Sequence, residues 1–419
     1  MTTQTKARRR LLFLTLCLTY IATGILAALP GASLPQLATD THVSLALAGD
    51  MFALSGFGFI LGAILSGSLI SSIHPKYWLA SGLLLLGVGS VATALTSAFP
   101  VLLASQLVKG FGFGFIDISL NSIATLSFEG NLTESLNNIH GMYGLGALLG
   151  PLLLAFGLQL FNSLPFAYFV GAILGIAVMI LVLPQRVPAP SRRVKSNTPA
   201  HSTNRVELRK VLLRGLLWLM LLQLSLYVAA ELGFGNWIVT IVSKSAGISL
   251  VLAAPVATAF YIGLTTGRLG GAQILRRGWL SEKGLLYVAT VGGTIAGIIA
   301  ALFPGQLFVV YIASALVGCF YGPLFPSIMA LTNQRFAHAI GLVSSVMMVG
   351  TGASSMLLPT AMGVLLPVIG INWVIAIPSI CCLAIIPPML LTNRTQRTTL
   401  QSSEMQHTME TLTEAPSVP

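Results

Sequence analysis

The chain has 419 residues, of which 55% are hydrophobic and 8% charged, with a formal net charge of +11. So few polar residues cannot cover the water-facing surface of a globule this long, which excludes an ordinary soluble protein. The basic residues do not gather into one aromatic-interleaved patch, so nucleic-acid binding is excluded as well.

Apolar stretches dominate, each near the ~20 residues that a helix needs to cross about 30 Å of hydrocarbon. In chain order they run over 11–36, 43–71, 77–96, 99–125, 135–160 and 164–184, then over 211–241, 250–275, 284–303, 306–331, 339–366 and 370–392. Lipid obliges each segment to satisfy its own backbone hydrogen bonds, and these runs are about twice the ~10 residues of a barrel strand, so helices are expected. Turn chemistry or charge separates them, as at Ser72-Ile73-His74-Pro75-Lys76, Phe99-Pro100, Arg276-Arg277-Gly278 and Phe303-Pro304-Gly305. The first span lacks a small-residue cleavage site and reads as a retained helix.

The sequence thus predicts an all-α polytopic membrane protein with twelve transmembrane helices in two six-helix, pseudo-symmetric bundles, over 1–184 and 211–392. A polar linker over 185–210 joins them as a flexible tether, and the Thr-, Ser- and Gln-rich stretch 393–419 reads as a disordered tail. Lys and Arg fall almost wholly on one side: Lys6, Arg8, Arg9 and Arg10, Lys76, the linker from Arg186 to Lys210, Arg276, Arg277, Lys283, Arg335, Arg394 and Arg397. The opposite loops hold only Lys244. The positive-inside bias therefore puts both termini in the cytoplasm and the chain in the plasma (inner) membrane. Cys17, Cys319, Cys381 and Cys382 all fall inside spans without metal-ligand spacing, so neither disulfide, metal nor cofactor is implied.

Five ionisable residues lie within spans: Asp50, Lys109, Asp117, Glu231 and Arg268. Each costs about 2.5–3.5 kcal/mol at a helix centre on insertion scales, so each needs a partner, water or a function. Glu231 precedes Gly233-Phe234-Gly235, where local unwinding is expected. It reads either as a cavity carboxylate that meets solute or a coupling cation, or as a structural acid bonded to another helix. Asp117 and Asn121, four apart, share a helical face. They either face the cavity or bracket the fourth span to Asn138 or His140. Lys109 is expected to pair with Asp50, as structural charges or as a relay. Arg268 reads as a snorkelling or gating residue near the inner end of its span. His140 is a titratable candidate or a packing residue. Tyr20, Tyr143, Tyr227, Trp237, Tyr261 and Tyr321 offer faces for stacking on a sugar ring, with Tyr227 and Trp237 singled out by their spacing around Glu231.

Two six-span halves with both termini on one side suggest parallel repeats that rock about a central site. The stripe Gly110-Phe111-Gly112-Phe113-Gly114 ahead of Asp117 and Asn121 occupies the place of Gly318, Gly322, Pro323, Pro326 and Ser327 in the second half. At these residues the chain resembles the major facilitator superfamily, over roughly 11–392. With Asn138-x-x-Gly141, Gly146-Ala-Leu-Leu-Gly150-Pro151, Tyr227-x-x-x-Glu231-x-Gly233-x-x-x-Trp237, Gly267-Arg268 and Gly322-Pro323-x-x-Pro326, it is similar to the fucose, galactose and glucose permease branch and its sodium-glucose transporter-like relatives. It departs from the superfamily where serines follow Gly67-Ser68-Leu69, where Gln106-Leu107-Val108-Lys109-Gly110 shifts the usual cation, and where the first span lacks an acid.

The expected function is alternating-access transport of a small polar solute, a sugar by resemblance, with a proton or cation as coupling partner. The convergent set Gln223, Tyr227, Glu231, Asn236, Trp237, Asp117, Asn121 and Asn138 carries binding or coupling. A proton-coupled exporter of drugs or metabolites is the alternative, and a solute sensor that does not translocate is the alternative of another class. No P-loop, His-Glu-x-x-His or Gly-x-Ser-x-Gly supports an enzyme. The expected partners are the solute, the coupling ion and the bilayer, with no nucleic acid, and the expected state is a monomer.

Overall fold

The computed structural model describes residues 6–70, 72–128, 132–187, 211–336 and 339–392. The expected tether beyond residue 187 and the expected tail from 393 lie outside these. Twelve helices are long and apolar enough to cross a membrane. In the first half they are α1 Lys6–Asp40, α2 Leu45–Leu69, α3 Pro75–Leu95, α4 Phe99–Ser127, α5 Leu132–Phe161 and α6 Pro165–Val182. The second half has α7 Gly215–Ala246, α8 Leu250–Arg276, α9 Glu282–Leu302, α10 Leu307–Arg335, α11 Ile340–Ile369 and α12 Ile371–Thr392. No strand occurs among the described residues.

Local chemistry sets the ends. Proline at the first turn opens α3, α4, α6 and the long segment of α8, where its missing N–H has no intrahelical partner to lose. Gly247, at φ +64°, closes α7 in the left-handed region that other residues reach only under strain. Interruptions fall at Gly49 in α2, Ala254 in α8, Gly322-Pro323 in α10, and Ile375 and Ala384-Ile385 in α12. The unwinding expected after Glu231 does not occur. Helix α7 runs unbroken, and its glycines serve packing instead: Gly233 faces Leu358 and Met362, and Gly235 faces Phe260 and the Tyr261 hydroxyl.

The two halves repeat one packing plan. Helix α2 lies on α4 and α1 on α5 in the first half, as α8 lies on α10 and α7 on α11 in the second. Both inner seams are backbone-close. A Cβ at Gly110 would strike the Ser55 carbonyl and one at Gly114 the Phe59 carbonyl; at Gly263 and Gly267 it would strike the carbonyls of Ala315 and Cys319. In lipid no hydrophobic effect drives helices together, so this close van der Waals fit is what holds each half. The halves meet through α1 and α7, α2 and α11, and α5 and α8.

The expected Asp50–Lys109 ion pair is absent, whereas Arg268 pairs with Glu231. Asp50 is half-buried at the head of the long segment of α2. Lys109 sits ten residues into α4, about 15 Å deeper than that helix end. Its neighbours Gly110 and Gly114 face α2, and a one-residue step turns Lys109 about 100° away from that seam. Its ammonium reaches the Leu26 carbonyl of α1 at 3.4 Å, with the residue only 5% exposed. Residue 30 is proline, so that carbonyl has no N–H four residues on. Lys109 fills the vacancy that Pro30 leaves.

Candidate functional site

Polar side chains from both halves converge at mid-depth. In the first half, the Tyr20 hydroxyl of α1 donates to Asp117 Oδ1 of α4 at 2.8 Å. Asn121, one turn further along α4, donates from Nδ2 to the Asp117 backbone carbonyl at 2.7 Å. That bond turns Asn121 Oδ1 toward His140 Nε2 of α5, at 3.1 Å. An oxygen there requires a proton on Nε2, so the hydrogen-bond network assigns the His140 tautomer. The Tyr20 and His140 rings lie 4.9 Å apart, and Phe113 stacks on Tyr143 at 6.0 Å. His140 is accessible although Tyr20, Asp117 and Asn121 surround it, and Gly144, one turn on, lies against Thr265 of α8 in the other half.

In the second half, Arg268 Nη2 of α8 donates to Glu231 Oε1 of α7 at 3.4 Å, a single long contact. The guanidinium is under-used. Its Nε is buried without a hydrogen bond of good geometry, and so is the hydroxyl of the fully buried Tyr227, which lies close to both Glu231 and Arg268. An unmade buried hydrogen bond costs about 1–3 kcal/mol, so the two atoms leave donor capacity beside Glu231. Tyr321 and Phe325 wall Tyr227, with ring centroids at 6.3 and 6.2 Å.

The clusters sense each other across the recess. Tyr143 lies in the field of Asp117 on its own half and of Glu231 and Arg268 on the other, His140 in that of Asp117 and Arg268, and Tyr261 in that of Tyr143 and Glu231. Away from the linker the halves are sealed. Gly31 of α1 would clash with Asn236 of α7 if it bore a Cβ, and Gly49 and Gly363 bring α2 and α11 together beside Trp237. Thr258 of α8 donates to the Leu148 carbonyl of α5 at 3.1 Å.

The residues singled out from sequence therefore divide. Asp117, Asn121, Tyr227, Glu231 and Arg268 line the convergence, and Arg268 is Glu231's partner instead of a snorkelling end residue. Asn236 and Trp237 belong to the seal: Trp237 is 0% exposed and donates to the Pro359 carbonyl at 2.8 Å. Gln223 is buried, its amide 4.0 Å from the Met220 sulfur. Asn138 is exposed near the linker-side end of α5. Sequence reasoning missed Phe113 altogether and saw Tyr20 and Tyr143 only as stacking faces. The signal that could have found Tyr20 is its place as a lone Tyr in α1, where Asp117 needs a donor.

The model of the Major Facilitator Superfamily matches residues 12–350 and 278–416. The chain belongs to the Major Facilitator Superfamily. This superfamily member is 25% identical over 384 residues to Bypass of stop codon protein 6 of Saccharomyces cerevisiae, covering 84% of this chain and 75% of that protein. It is 22% identical over 359 residues to sodium-dependent glucose transporter 1 of Xenopus laevis, covering 81% and 72%. Its fold matches that of a bacterial homologue of the human lysosomal transporter Spinster, in an inward-facing and unoccupied conformation, with a TM-score of 0.73 at 16% identity over 94% of this chain and 98% of that one. At that identity the likeness establishes the fold. The protein is thus a multi-pass membrane transporter and not an enzyme.

Proposed function

We propose that this transporter moves a sugar across the plasma (inner) membrane by alternating access, coupled to a proton or cation. The observation that carries the reading is the convergence of Tyr20, Asp117, Asn121 and His140 from one half with Tyr227, Glu231 and Arg268 from the other, in a recess sealed on the side away from the linker. A polyol needs acceptors, donors and flat aromatic faces together, and this recess supplies carboxylates, a guanidinium and the rings of Tyr143 and Phe113. The name of the Xenopus laevis relative supports the same substrate class.

The basic bias of the linker face puts both termini in the cytoplasm, which makes the described conformation open inward. Rocking about α1–α7, α2–α11 and α5–α8 would then open the far seal and close the linker side. Glu231 is the coupling carboxylate: its hold on Arg268 is a single 3.4 Å contact that protonation releases. The transporter works as a monomer, since each half contributes to one recess within one chain.

Proteoliposome uptake of labelled hexoses, deoxyhexoses and disaccharides, under imposed proton or sodium gradients, tests this. Accumulation is expected for wild type. Glu231→Gln should lose accumulation by about a hundredfold while retaining counterflow, because it removes the titrating group and keeps the shape. Preserved accumulation in the mutant removes Glu231 from coupling, and no uptake of any sugar would leave the exporter of drugs or metabolites as the better reading.

A further inference from the structure

The unsatisfied atoms beside Glu231 say what kind of solute completes the site. Arg268 carries five N–H donors in a planar fork suited to two oxygens at once, yet it makes one bond at 3.4 Å and its buried Nε has no well-formed hydrogen bond. Tyr227 brings a buried hydroxyl without a well-formed hydrogen bond to the same place, beside Glu231 and Arg268. Neither lies in the first-half cluster, where Tyr20, Asn121 and His140 already hold one another and Asp117. The vacancy is a set of donors around a cation whose own acid grips it weakly.

A neutral hydroxyl competes poorly with a carboxylate for this half-buried guanidinium, because the exchange gives up an ion pair. A second carboxylate can, provided that Glu231 becomes neutral as it leaves. Charge conservation favours that exchange. Empty, the recess holds the carboxylates of Asp117 and Glu231 against Arg268, and whatever charge His140 carries is the same before and after the exchange. A bound carboxylate on Arg268 with a proton on Glu231 leaves the same balance. The site then never carries an extra charge through the rocking step.

We propose that the solute is a sugar acid whose carboxylate takes the Arg268 fork from Glu231, while Glu231 takes a proton from the water on the open side. The Tyr227 hydroxyl donates to the same carboxylate. On the far side the proton leaves Glu231, which recaptures Arg268 and expels the anion. One anion and one proton move together, and no net charge crosses. This rests on the transporter reading above and narrows its substrate.

The test uses the full chain in proteoliposomes with labelled glucuronate and labelled glucose, a pH step across the membrane, and the potential clamped to either sign by potassium and valinomycin. Glucuronate should accumulate about tenfold per pH unit and ignore the clamp, as one-to-one electroneutral exchange of charge requires. Tyr227→Phe should raise the half-saturating glucuronate concentration by about tenfold, and Arg268→Lys, which keeps the charge and loses the fork, by more. Glucuronate uptake that follows the clamped potential overturns the proposal. So does accumulation of glucose with glucuronate neither transported nor competing, a result that leaves the sugar-transporter reading standing. Failure of both compounds and of every other sugar sinks the two readings together.

Discussion

The two halves share one packing plan but treat their buried charges in opposite ways. In the first half Asp117 is enclosed by a chain of hydrogen bonds through Tyr20, Asn121 and His140, and Lys109 is tied to the carbonyl that Pro30 frees. In the second, Glu231 and Arg268 share one long contact while a guanidinium nitrogen and the Tyr227 hydroxyl lack well-formed hydrogen bonds. A satisfied network is rigid and expensive to disturb, whereas a half-satisfied one is poised to exchange partners. On the transport reading proposed above, the first half is a platform and the second the part that exchanges partners.

The glycine seams test the sameness of the halves with the largest effect. Gly110→Leu and Gly267→Leu each force a side chain into a partner helix's backbone, so each should abolish monodisperse protein on size-exclusion chromatography. Tolerance of one and not the other would mean that the seams are not equivalent. Next in size is the Lys109–Pro30 cycle. Lys109→Met orphans the Leu26 carbonyl, and Pro30→Ala supplies it with an N–H. The double mutant should therefore be less impaired than the sum of the singles by about 1–2 kcal/mol in thermal stability. Additive losses would remove Lys109 from that role.

Tyr20→Phe sharpens the division of labour. It deletes a hydrogen bond to a carboxylate and should lower stability by about 1–2 kcal/mol while leaving half-saturation for solute within about twofold. A shift as large as that of Tyr227→Phe would put solute on the first half too. The smallest effect belongs to the clasp at the end of the first half, where His74 meets the Val187 carbonyl at 3.1 Å and Lys76 meets that of Leu183 at 3.2 Å. Burial, then the neighbouring Lys76 charge, hold His74 below its ordinary value near 6.5 despite the bond to Val187. The folded state thus binds fewer protons than the unfolded one, so the contribution is full above about pH 6.5 and is lost as pH falls through the lowered value. Thermal stability should drop slightly between pH 7.5 and 5.5, and the drop should shrink in His74→Asn; an unchanged drop would place the sensitivity elsewhere.

Much of the fold was legible because lipid leaves a chain few choices. Apolar runs of ~20 residues must be helices. Boundaries moved by a few residues, as when the first span grew from 11–36 to Lys6–Asp40. The site was only half legible. Glu231, Tyr227, Asp117 and Asn121 could be found as polar residues that a span must justify. Their partners could not, because Arg268 lies 37 residues from Glu231 and Tyr20 lies 97 from Asp117. The expected partner of Lys109 was wrong for a rotational reason: one residue on a helix turns a side chain about 100°. The expected break at Gly233 failed because glycine permits unwinding but does not require it where Leu358, Met362 and Phe260 pack against the helix.

By itself, then, the sequence determined the solvent, the helices and the two-half plan, since these follow from composition and from hydrogen bonds closed within each segment. Only the tertiary structure decided that Glu231 faces Arg268, that Trp237 closes a seal and that Lys109 answers a proline. Each of these depends on the rotation and depth of one helix against another, which close packing between backbones sets and no local pattern encodes.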